Sequence, residues 1–158
     1  HAPDYEFRDL VYGEREAVRI LGGRIELFAA ERARVVNAPR DLPVVAGQGL
    51  HHLLRDRLDD LVRGDALRVA FALPSRQDWY EFRVRAVRSP DPSVVRLRVD
   101  LASWVLRLLA PSLEVDYDLE TRRLLRYRGV SNLPGPGGAP RTVEIRYAHP
   151  EETRAPAY

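Results

Sequence analysis

Four groups of side chains have types and spacings that could do chemistry. The first is His51, His52 and Asp56, with His52 and Asp56 four residues apart and therefore on one face of a helix. Imidazole and carboxylate are zinc ligands, but a zinc site needs three or four of them to converge. The helical H-E-x-x-H pattern is absent, so a solvated helix face is the expected role. The second group is Asp116, Asp118 and Glu120, spaced like calcium-loop ligands. The glycine on which such a loop turns is missing, and the intervening Tyr117 and Leu119 fit strand alternation better. Nothing near these acids marks one of them as buried, so they do not read as a glycosidase pair.

The third group is Arg122, Arg123, Arg126 and Arg128 around Tyr127. Guanidiniums could hold phosphates and the ring could stack on a base. Acidic residues on the adjoining segments neutralise that surface, so no nucleic-acid partner is expected. The fourth group is apolar: Phe71, Trp79, Phe82, Trp104, Leu106, Leu109 and Tyr127. These side chains could line a cavity for a lipid or acyl chain, and they could equally form a filled core. There is no G-x-S-x-G elbow and no phosphate-loop glycine pattern. No enzyme activity, cofactor or metal is expected.

The elements that must position these residues are mostly strands. From Trp79 to Tyr147, apolar and charged residues alternate with the period of two that puts them on opposite faces. Tyr80, Phe82, Val84 and Ala86 form an inner set, with Glu81, Arg83 and Arg85 outside. After the Ser89–Ser93 turn, Val95, Leu97, Val99 and Leu101 are inner and Arg96, Arg98 and Asp100 outer. Leu113, Val115 and Tyr117 follow, then Leu125 and Tyr127, then Val143, Ile145 and Tyr147. If these strands form a meander, the Arg96/Arg98 row lies beside Glu114/Asp116. That row lies beside Arg126/Arg128, and Glu144 comes next. Directly opposed unlike charges contribute roughly 0.2–1 kcal/mol each, so the sign alternation favours this order. It also implies a wet charged face and an apolar face that something must cover.

Upstream, Asp4 to Tyr12 reads as a strand, Gly22-Gly23 as a hairpin turn between Val18–Leu21 and Ile25–Ala29, and Arg34 to Asn37 as a short strand. Leu67 to Leu73 resumes the strand period. Between them, Leu50, Leu53, Leu54, Leu58, Leu61 and Val62 fall on one helix face, with Gly64 placed to end the helix. One apolar stripe predicts packing on a single surface, either the apolar face of the sheet or the open end of a curved one. Ser103 to Ala110 reads as one or two helical turns plugged into the sheet, with a buried strand as the alternative. Residues 148–158 carry no pattern and read as a frayed tail.

At 158 residues the chain suits a single β-rich domain. Its 45% hydrophobic and 30% charged residues are ordinary for a soluble globular protein, and no run is apolar enough to span a membrane. The formal charge of +2 is a near balance, so no strong polyanion field follows. There is no cysteine, which excludes disulfides, thiolate nucleophiles and cysteine-ligated zinc. The fold class expected is mainly β: a curved antiparallel sheet or incomplete β-barrel of about nine strands with one covering amphipathic helix, at about Leu50 to Arg63.

The run Leu113-Glu114-Val115-Asp116-Tyr117-Asp118, with Thr121, Leu124-Leu125, Tyr127 and Gly129-Val130-Ser131-Asn132, resembles the closing strands of an uncharacterised family of exported bacterial proteins. The helix ending at Gly64 and the strand leading to Pro74-Ser75-Arg76 fit the same likeness. That family is similar in layout to the periplasmic lipoprotein carriers, in which a curved sheet wraps a helix over an apolar cavity. The resemblance implies a periplasmic or exported location and a hydrophobic ligand, and it brings no catalytic residue. The leading expectation is non-catalytic binding of a lipid or acyl chain. The alternative is a structural or assembly module that binds an envelope protein partner through its sheet face or edge.

Overall fold

The computed structural model describes residues 4–8, 10, 13, 15–107, 112–131 and 141–149. The chain is mainly β, and its strands form two sheets, neither closed into a barrel. In the first, β1 (Tyr5–Arg8), β2 (Arg15–Leu21), β3 (Arg24–Ala29) and β4 (Arg32–Asn37) lie in sequence order, all antiparallel. Gly22 and Gly23 join β2 to β3 with φ of +54° and +82°, the left-handed pair that a two-residue hairpin turn needs.

The second sheet has seven strands in the order β11-β10-β9-β8-β7-β6-β5. They are β5 (Val44–Val45), β6 (Leu67–Leu73), β7 (Asp78–Val87), β8 (Val94–Leu101), β9 (Leu113–Asp118), β10 (Leu124–Val130) and β11 (Thr142–Arg146). β6 to β11 are the meander that the charge alternation predicts, with Arg96 opposite Asp116, Arg98 opposite Glu114, and Arg128 opposite both Glu114 and Glu144. β5 was not legible in the sequence. It is only two residues long and pairs with β6 in parallel.

The expected helix forms in two pieces, α1 (Gly49–Asp56) and α2 (Leu58–Val62), with Arg57 between them. Leu54, Leu58 and Leu61 are each 1% exposed and pack with Val69, Val84, Leu97, Val99 and Val115. Burying one such leucine contributes about 1.5–3 kcal/mol. The apolar face of the seven-stranded sheet is therefore covered by the chain's own helices. The other face of that sheet carries the smaller sheet at one end. There Val18, Ile25 and Leu27 pack with Ala46, Ala72 and Trp79, and β2 and β3 touch the 3-10 turn Pro74–Arg76.

The expected mainly β class with a covering helix holds, and two details differ. Among the described residues the strands number eleven rather than about nine and divide between two sheets, because β4 closes the first sheet against β3 and hands the chain on to β5. The short helix α3 (Trp104–Arg107) is not plugged into the sheet: Trp104 is 72% exposed and Val105 is 48% exposed. Beyond Arg146 the Tyr147 amide bonds to the Leu125 carbonyl at 2.9 Å, and a ring nitrogen of His149 lies 2.8 Å from the Leu124 carbonyl. Residues 150–158 lie outside the described residues.

Candidate functional site

Strand alternation brings the charged side chains of β6 to β11 onto the face opposite the helices. At its centre, Asp116 accepts bonds from two arginines on flanking strands: Arg96 Nε at 2.8 Å and Nη2 at 2.9 Å, and Arg126 Nε at 2.9 Å. Arg126 also reaches Glu114 and Glu144, each at 3.3 Å. Asp116 is only 6% exposed, so this face is not uniformly wet as its composition suggests. Burial works to raise the Asp116 pKa, but bonds from Arg96 and Arg126 outweigh it and hold the carboxyl below its ordinary value. Long guanidinium side chains lie over the acid and exclude water from it.

Asp100, also buried, is the second node. Its Oδ1 accepts the Ser112 hydroxyl at 2.6 Å and Arg98 Nε at 3.1 Å, while Oδ2 lies 3.6 Å from Arg85. Burial again pushes its pKa up, and the bonds from Ser112 and Arg98 with the charge of Arg85 bring it below the ordinary value. Beside this node a cleft of about 380 Å³ opens, lined by Arg68, Glu81, Arg83, Arg85, Asp100 and Arg107 among others. Arg68 forks onto Glu81 at 2.6 and 3.1 Å. Arg83 has no ion pair or hydrogen bond among the described residues.

The apolar candidates do not line one wall. Phe71 and Phe82 meet edge to face, 6.0 Å between ring centres, half-buried against the main core. Tyr127 packs against the same core and donates its hydroxyl to the Val130 carbonyl at 2.7 Å. Trp79 is on the other face. It is opposite Ala72, packs in the second cluster, and donates its indole N–H to the Asn37 carbonyl at 3.0 Å. Counting alternation back from Phe82 would have placed it there, beside Glu81 and away from the inner set. Trp104 faces out, Leu106 is half-buried, and Leu109 lies outside the described residues.

The metal candidates have other work. His51 turns from the helix toward the sheet, where Tyr117, 1% exposed, has its hydroxyl 2.8 Å from His51 Nδ1. Burial raises the Tyr117 pKa, so the hydroxyl keeps its proton and pairs with the imidazole as a neutral group, the tautomer of the ring setting which of the two donates. Burial, then Arg55 and His52, depress the His51 pKa and favour the neutral ring that can accept. His51 was expected on the solvated face; its partner lies 66 residues away, which no local pattern reveals. Asp118 caps its own turn, with Oδ1 accepting the amides of Glu120 and Thr121 and the Thr121 hydroxyl at 3.1, 2.7 and 2.8 Å. Among the described residues, no three histidine or acidic side chains converge as metal ligands, and no helix is long and apolar enough to cross a membrane.

Of the arginine group, Arg126 belongs to the ladder, and Arg122 reaches across to Asp59 on α2 at 2.7 Å. Arg85, Arg107, Asp100 and Ser112 were not singled out from the sequence. The signal that could have found them is the like-charged pairing of Arg68 with Arg83 and of Arg85 with Arg98. Comparison with protein-family models, with curated proteins and with solved structures finds no match to this chain.

Proposed function

We propose that this chain is a non-catalytic binding module whose partner is a protein that docks on the outer face of the seven-stranded sheet, where β6, β7 and β8 run side by side. One observation carries the reading. Around the open cleft four guanidiniums meet two carboxylates, and both carboxylates are already engaged by arginines of this chain. A partner bringing carboxylates would complete there the pairing that the rest of the face completes for itself. The periplasmic or exported location implied by the family likeness belongs to the same proposal, and fractionation of the native host tests it.

In vivo photo-crosslinking tests the docking itself. A photoreactive residue at Ala66, on the cleft wall, is expected to capture a discrete protein species that disappears when Arg85 is changed to Glu. The same probe at Arg19, on the four-stranded sheet, is expected to capture nothing comparable. Equal capture from both positions, or capture indifferent to the charge reversal, would overturn the reading.

A second reading is carriage of an apolar ligand. It is favoured by Phe71, Phe82 and Tyr127, which are only partly buried and pack, like Leu50 and Leu53 of α1, against the core of the apolar face. It requires α1 and α2 to lift from the sheet. Native mass spectrometry with organic extraction separates the two readings. A bound lipid mass supports carriage; a clean protein mass with no uptake of added acyl chains leaves the partner-binding module.

A further inference from the structure

Resting on the partner-binding reading, we propose that the cleft flanked by α3 and strands β6 to β8 is a carboxylate site, in which Arg83 and Arg107 receive an acidic side chain or chain terminus of the partner. The register makes the case for Arg83. Across β6 it faces Arg68, and across β8 it faces Asp100. Arg68 is spent on Glu81 through two bonds. Asp100 is occupied by Arg98 and Ser112 on one oxygen and approached by Arg85 on the other. The Arg83 side chain is thus left with a like charge opposite it on β6, an acid already engaged by other groups opposite it on β8, and no ion pair of its own among the described residues.

Arg107 comes into the same cleft from α3, with Nη2 donating to the Ala102 carbonyl at 3.3 Å and the rest of its fork without a partner among the described residues. A guanidinium fork matches a carboxylate through two parallel bonds. Phosphate fits the same fork, but Glu81 and Asp100 in the wall oppose a dianion more than a single carboxylate. Trp104 and Val105, exposed on the helix that carries Arg107, offer apolar contact to a peptide segment and none to a free phosphate.

Titration of the whole protein with a hexaglutamate peptide and, separately, with inorganic phosphate tests this, followed through the arginine Nε–H resonances by NMR. The peptide is expected to shift the Arg83 and Arg107 signals saturably, leave Arg126 in place, and bind more weakly as salt rises. Arg83→Gln is expected to weaken binding about tenfold, with Arg83→Lys recovering only part of it. The Arg83 side chain is exposed and has no ion pair among the described residues, so an unchanged melting temperature will show that the variant is folded. Signals unmoved at millimolar peptide, wild-type affinity in Arg83→Gln, or tighter binding of phosphate than of peptide would each overturn the carboxylate site. If the Ala66 cross-link survives such a result, only the site falls; if the cross-link is absent as well, the docking reading falls with it.

Discussion

On the helix-covered face of the seven-stranded sheet, Val69, Val84 and Leu97 are wholly buried and Val99 nearly so. On the opposite face the same strands present Arg68, Arg83, Arg85, Arg96 and Arg98 among carboxylates, and of the described charged residues there only Asp100 and Asp116 are buried. The two faces alternate along one backbone, yet different physics holds them. The apolar face is non-directional, contributes with area, is not screened by salt and is largely indifferent to pH. The charged face is directional, and each bond offsets the desolvation of the groups that make it. Its net contribution to stability is small, but it fixes which guanidiniums are spent and which remain available to a partner. The contrast teaches that the fold is held on one face and its recognition capacity is set on the other.

The largest blow to that contrast comes from the apolar face. Leu97→Ala, at a wholly buried site, is expected to destabilise the fold by about 2–5 kcal/mol in urea unfolding. A loss below about 1 kcal/mol would mean that the core is not close-packed there. Next comes Asp116→Ala, which leaves Arg96 and Arg126 without their shared acid and is expected to cost about 2 kcal/mol. A neutral result in the same unfolding experiment would reduce the ladder to ornament.

A pH series separates the faces further. The fold favours the neutral form of His51, so the unfolded chain binds more protons as the pH falls below 6.5. The stability tied to this ring is full above that pH and is lost as the pH drops through the window beneath it. Tyr117→Phe, which removes the hydroxyl partner of His51, is expected to alter this slope. Asp100 and Asp116 act lower. Their contribution is full above about 3.8 and disappears as the pH falls through their depressed values. Urea unfolding at successive pH values reads both windows; a flat profile between pH 5 and 7 would remove His51 from the account. The smallest effect belongs to Arg83→Gln, expected to leave stability within about 0.5 kcal/mol of the parent, because that guanidinium holds nothing in the fold.

Much of the architecture was present in the sequence alone. Alternation from Tyr80 to Tyr147 determined the strands and their two faces. The leucine spacing from Leu50 to Leu61 determined a helix with one sticky side, and the sign of the charges determined that β8, β9 and β10 lie side by side. Those are local periodicities, and local periodicity is what a linear text records. The tertiary structure decided the rest. It divided the strands between two sheets, put Trp79 on the face away from Phe82, turned His51 inward to Tyr117, and left Trp104 in solvent. It also decided that Asp116 is shared by two arginines while the Arg83 side chain has no ion pair among the described residues. Each of these depends on which residue of a distant strand stands across or diagonal to another. That register is set by the packing of the whole chain, and no stretch of it carries the information alone.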